Sequence, residues 1–364
     1  MHFIPQIQPW IDESELEELR KVIDSTFITE HKKSKEFEDR FAEITGAKHV
    51  LSFCNGTMAL LASLLVLDLK PGDEVIIPDL TFIATANPVI LAGGTPVFVD
   101  IEEDGLQIDP KKIEEKITEK TRAIIPVHLY GFSADMEAIM EIAQKHELFV
   151  IEDAAEAVGV YLGGKHAGTF GDIGMLSFYA NKNITTAEGS LLLTDDDELA
   201  KKLFRMKNHG RDSAGTFIHE TIGYNLRFSD VHAAIGLAQL KKLPKILEKK
   251  KELHRAYKDG LSDIKEIHFP RVPENVDPSH WFINIHVPNA EALLQHLMEN
   301  NIESRRLFYP MHMQPCYEGK YGTDNEFPNA IKAYETGLSL PSSYILTEEE
   351  LNYVIEKIRD FFSS

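Results

Sequence analysis

The chain has 364 residues, 43% apolar and 26% charged, a composition inside the globular range and far from that of disordered chains. Its 38 basic residues against 58 acidic ones leave a net charge of −20. Such a field excludes nucleic acid as a partner but not a small phosphate held by local backbone amides. Cys54 and Cys316 form no C-x-x-C pair, so neither a disulfide framework nor a metal site is expected. No apolar run reaches the ~18 residues of a spanning helix and no signal-like start is present, so no membrane association is expected and a soluble cytoplasmic protein is.

In chain order, Leu16, Leu19, Val22 and Ile23 recur at helical spacing behind a cap at Asp12 or Ser14. HVLSFC then runs as a strand into the turn Asn55-Gly56-Thr57 and an apolar helix. A strand is expected at Val75 to Pro78, a helix around Ala84 to Leu91 and a strand at Pro96 to Asp100. Two further strands, Ala123 to Val127 and Leu148 to Ile151, flank the helical DMEAIMEIAQKH. Strands alternating with helices of about ten residues imply βαβ units and a mainly parallel sheet, which holds ligands at the carboxyl ends of its strands. From Asp230 to Tyr257 the pattern is helical with an interruption near Pro244, and the boundary between a large α/β domain (1–240) and a smaller α+β domain (241–364) is placed there. The second domain reads as a strand in HWFINIHV, a helix in AEALLQHLMENN, and a last helix capped by Thr347.

Three stretches carry chemistry. Lys182 lies between the apolar runs GMLSFY and SLLLT, in a loop rich in short hydroxyl and amide residues. Desolvation there favours a neutral amine, as a Schiff-base nucleophile needs. FVIEDAAEA is an apolar strand that ends in carboxylates at the ligand edge of the sheet. Asp153 could cap a following helix; paired with Lys182, it could instead keep a pyridine nitrogen protonated so that the ring takes up electrons. Asn55-Gly56-Thr57 offers the free N–H groups of a helix N-terminus to a phosphate.

Taken in order, NGTMAL, TFIATANPV, IEDAAEA, SFYANKNITTAEGS, GYNLRFSDVHAAIGLAQL and FYPMHMQPCY resemble the DegT/DnrJ/EryC1/StrS sugar-nucleotide aminotransferases along essentially the whole chain. The resemblance implies the aspartate aminotransferase fold (fold type I), with a mainly parallel seven-stranded sheet in the large domain, and pyridoxal 5′-phosphate as cofactor. It implies that Lys182 bonds the cofactor and shuttles the proton, that Asp153 pairs with the ring nitrogen and that Phe82 stacks on the ring. Gly56, Thr57 and Ser177 would hold the phosphate, and Glu156 would lie near the ring hydroxyl and the substrate. Asn225 would reach the phosphate of the neighbouring subunit's cofactor in a homodimer. Glu188 and His312 would contact the sugar nucleotide, whereas Trp281 reads as packing.

The family's G-E-G-G after the lysine is here Ala187-Glu188-Gly189-Ser190, which suggests a modified loop path. The implied reaction moves an amino group from glutamate to a nucleotide-linked keto-sugar. Asn181-Lys182-x-Ile184-Thr185-Thr186, Glu156 and the run Phe308 to Pro315 look most like the perosamine-forming members, which aminate C4 of GDP-4-keto-6-deoxy-mannose for O-antigen. UDP- or dTDP-linked 4-keto sugars come next, followed by 3-keto sugars or an octulosonate. A silent paralogue that only binds cofactor or nucleotide-sugar is opposed by the intact Lys182, Asp153 and Thr57.

Overall fold

A computed structural model describes residues 2–213 and 217–363. Apart from short 3-10 turns, the first lobe contains α1 (Glu13–Ser25), α2 (Lys32–Thr45), β1 (His49–Phe53), α3 (Gly56–Leu65), β2 (Glu74–Pro78), α4 (Asn87–Leu91), β3 (Thr95–Val99), α5 (Pro110–Glu115), β4 (Thr121–Ile124) and α6 (Met136–His146). It continues with β5 (Phe149–Asp153), the small strands β6 (Tyr161–Leu162) and β7 (Lys165–His166), then β8 (Ile173–Ser177), β9 (Ser190–Thr194) and α7 (Asp197–Lys207). The long α8 (Asp230–Leu261) leads to β10 (Val276–Asp277), β11 (Ile283–His286), α9 (Ala290–Glu299), β12 (Arg305–Arg306), α10 (Pro328–Thr336), β13 (Gly337–Leu340) and α11 (Glu348–Ser363).

The seven-stranded sheet has the order β1-β9-β8-β5-β4-β2-β3. Only β9 runs antiparallel, to both β1 and β8. Strands this apolar are buried on both faces, as a helix-covered parallel sheet requires. Val75 and Ile77 of β2 enter one core with Leu60 and Leu64 of α3, and Ile76 between them enters the other with Ile139 of α6 and Phe37 of α2. A third core, in the smaller lobe, joins Ile283 and Ile285 of β11, Leu293 of α9, Leu340 of β13 and Val354 of α11. Ile4 also belongs to it, its backbone bonded to Asn301 and Glu303 at 2.8 Å each, so the first residues cross to the smaller lobe.

Two expected elements differ. The helix read around Ala84 to Leu91 shrinks to Asn87–Leu91, with turns before it, because Pro88 has no N–H to bond the Ala84 carbonyl and fits only the first turn of a helix. The interruption expected near Pro244 is absent, and α8 runs 32 residues through the proline. Losing one backbone bond there costs about 3 kcal/mol, offset by burial on both sides: Ala233 and Leu237 in the sheet's core, Leu253, Tyr257 and Leu261 in that of the small lobe. Position 240 therefore falls inside one helix. The caps hold as read. Asp12 forms a capping box with Glu15, and the Thr347 Oγ1 accepts from the Glu350 N–H at 3.2 Å. Among the described residues, no helix is long and apolar enough to cross a membrane.

Candidate active site

The carboxyl ends of β1, β2, β5 and β8 open on one cavity of 740 Å³, which β12 and β13 of the small lobe close from the other side. Lys182 lies in the loop between β8 and β9, where its N–H donates to the Tyr179 carbonyl at 3.0 Å and so fixes a turn. Its Nζ donates to Glu156 Oε1 at 3.2 Å and lies 4.0 Å from the Trp281 ring centroid. The other oxygen of Glu156 accepts from the Tyr130 N–H at 2.7 Å, which leaves this buried carboxylate little freedom.

Asp153 ends β5 at the cavity floor. Its Oδ2 accepts from Thr85 Oγ1 at 2.7 Å and its Oδ1 from the Ala155 N–H at 3.2 Å. Burial pushes the carboxyls of both Asp153 and Glu156 above the usual range. A buried carboxylate in this state gains from a cation brought against it.

Asn55 caps α3 by accepting from the Met58 N–H at 3.0 Å, leaving the N–H groups of Gly56 and Thr57 at the helix tip. A Cβ on Gly56 would stand 3.2 Å from Met175 Sδ and 3.7 Å from Ser177 Cβ, so glycine keeps this cradle open. Cradle, floor carboxylate and amine suit a phosphorylated pyridine: Gly56, Thr57 and Ser177 for the phosphate, Asp153 for the ring nitrogen, Lys182 for the aldehyde carbon.

Gly56, Thr57, Phe82, Asp153, Glu156, Ser177, Lys182 and Glu188 all line this one cavity. Phe82 is 55% exposed, a ring free to cover a flat ligand. In the loop carrying Glu188, Ala187 adopts φ +69°, a left-handed backbone that glycine takes without strain. Two residues lie elsewhere. Asn225 is exposed outside the cavity, accepting from Arg227 Nε at 2.9 Å. His312 is buried behind the cavity wall, its Nδ1 2.7 Å from Asp79 and its Nε2 3.3 Å from Asp324. Burial opposes its charge, but the two carboxylates prevail and hold its pKa up.

Sequence reasoning missed the small-lobe wall. Trp281, read as packing, covers Lys182, and Arg305 and Arg306 also line the cavity. No local pattern marks them, since the lobe contact alone brings them there.

A mainly parallel α/β sheet with a lysine, a buried aspartate and an open helix tip at its strand ends defines a pyridoxal-phosphate enzyme. A model of the DegT/DnrJ/EryC1/StrS aminotransferase family matches residues 9–359. The GDP-perosamine synthase of Escherichia coli O157:H7 is 40% identical over 100% of both chains, and that of Vibrio cholerae is 34% identical over 99% of each. A putative sugar aminotransferase from Streptococcus pneumoniae, solved in its PMP form, has a TM-score of 0.95 at 29% identity, covering 100% of this chain and 98% of that one. The chain belongs to the DegT/DnrJ/EryC1/StrS aminotransferase family. Its fold is that of the PLP-dependent sugar aminotransferases, and its cofactor is pyridoxal 5′-phosphate.

Proposed function

We propose that the chain transfers the amino group of glutamate to C4 of GDP-4-keto-6-deoxy-mannose, forming GDP-perosamine for O-antigen, as a cytoplasmic homodimer. The observation that carries the sugar assignment is the full-length similarity, at 34–40% identity, to three GDP-perosamine synthases. The cavity's size suits it, since 740 Å³ is ample for a drug-sized ligand and leaves room for a sugar beyond the cofactor.

Bound in this cavity, pyridoxal phosphate supplies an electron sink that makes a neighbouring C–H bond acidic. The chain's own groups do the rest. Asp153 holds a proton at the ring nitrogen, and the tip of α3 with Ser177 anchors the phosphate. Lys182 Nζ would carry the proton between the substrate carbon and C4′ of the bound cofactor, held on line by Glu156 Oε1. Trp281 and Phe282 exclude water from that face.

The test is a panel of GDP-, UDP- and dTDP-linked 4-keto and 3-keto sugars with glutamate as donor, the amine position being read by NMR. A 4-amino product formed best from the GDP substrate is expected; preference for another base, or amination at C3, sinks the assignment. Lys182→Ala should fold and fall below about a thousandth of wild-type turnover. Borohydride should fix cofactor to the Lys182 peptide of the wild type alone.

A further inference from the structure

Lys250, in the second half of α8, is 1% exposed. Burial draws its ammonium down to about 7, with no carboxylate opposing the shift. Packing alone does not call for a lysine here, because an unbranched apolar side chain would fill the space without desolvating a charge. What the lysine adds is a donor. Its Nζ bonds the Trp281 carbonyl at 2.6 Å and Ser342 Oγ at 3.2 Å.

Trp281 is the part of the small lobe that meets the catalytic lysine. Its indole Nε1 donates to the Asn181 carbonyl at 2.7 Å, one residue before Lys182. Its ring face lies 4.0 Å from Lys182 Nζ, a distance at which an ammonium is attracted to the π-cloud. Phe282 stacks on the indole at 3.8 Å. On the backbone side the segment is pressed against Gly131, where a Cβ would come within 2.6 Å of the Trp281 nitrogen. The indole thus has its N–H, one neighbouring ring and its backbone nitrogen fixed, and Lys250 fixes the carbonyl.

We infer that Lys250 is a positioning residue: by holding the Trp281 carbonyl it fixes the indole that bonds the Asn181 backbone and covers Lys182 Nζ, and so sets the direction from which Nζ reaches the cofactor. This rests on Lys182 being the residue that captures the cofactor, and it concerns no particular sugar or donor. Anchoring of the phosphate and ring, at Gly56, Thr57, Ser177 and Asp153, lies on the other lobe and does not pass through Lys250.

Two measurements on the cofactor-free full-length chain separate anchoring from capture. Pyridoxamine phosphate has no aldehyde and reports binding alone. The rate of pyridoxal phosphate uptake, followed by absorbance and by borohydride trapping on Lys182, reports capture. Lys250→Met and Trp281→Phe should each slow capture about tenfold while leaving pyridoxamine phosphate affinity within about twofold. The double variant should be no slower than the slower single one, because both remove the same support. Wild-type capture in either variant, a parallel loss of pyridoxamine phosphate affinity, or additive losses in the double variant would each overturn the inference. Failure of the underlying reading looks different: Lys182→Ala would then still trap cofactor covalently.

Discussion

At the residue scale, the costs in this site can be assigned to single side chains. Ala187 holds φ +69° beside Glu188, a region where a Cβ meets the backbone and glycine does not. Ala187→Gly should therefore raise stability by about 1 kcal/mol in denaturant titration despite glycine's greater unfolded entropy; a loss of that size would mean that the loop needs its strain. Lys250 makes a pH-dependent prediction. Its pKa falls from 10.5 unfolded to about 7 folded. As pH drops from 10 towards 7, the unfolded chain takes up a proton that the folded chain refuses, so stability is lost across that window and the penalty is constant below it. The stability gained by Lys250→Met should accordingly be small near pH 10 and larger at pH 6.5, by an amount on the order of 2–4 kcal/mol. Equal gains at both pH values would contradict the buried ammonium. Lys182, Asp153, Glu156 and Gly56 were legible because each sits in a contiguous motif whose chemistry is local. Trp281 was not, because it meets Asn181 100 positions away, through a lobe contact that no spacing records.

At the element scale, α8 couples the lobes and is where periodicity misled. Pro244 reads as a break because its intrinsic cost is known, whereas the compensating burial against two separate cores is a tertiary quantity. The strands were legible because their apolar runs are short and bounded by turns; their edges moved by one to three residues, and the run expected as far as Val127 ends at Ile124, leaving Val127 only an isolated bridge with Asp153. The seating of α8 on α2 can be tested at Gly236. A Cβ there would lie 2.5 Å from Phe37 Cε2 and 2.8 Å from Thr186 Cγ2. Phe37 is fully buried, with its ring edge-on to Phe41 and Phe178, and cannot yield. Gly236→Ala gains about 1 kcal/mol of helix propensity but overpacks by roughly 1–3 kcal/mol. A net loss of stability is expected. Because Thr186 belongs to the Lys182 loop, turnover should fall with it; a more stable and fully active variant would show that the two helices can separate.

At the scale of the whole molecule, the net charge of −20 reads as a solvated exterior around local anion sites, yet the surface near Asn225 departs from that pattern. Phe217 is 84% exposed and Ile222 87%, apolar side chains that the proposed homodimer offers a second copy to cover. Asn225 does not line its own cavity, so its proposed phosphate contact requires the site of the other subunit. Complementation can decide this. Suppose that Lys182→Ala and Asn225→Ala are each inactive as homodimers. In a hybrid, the site with Lys182 intact receives its Asn225 from the Lys182→Ala subunit and is complete, while the other site lacks both. Random exchange makes half the dimers hybrid, each with one working site, so mixed and refolded subunits should regain about a quarter of wild-type activity. If Asn225 served its own subunit, every hybrid site would lack one of the two groups and the mixture would stay inactive. A monomer by light scattering at the assay concentration, or an Asn225→Ala variant as active as wild type, would remove the shared site altogether.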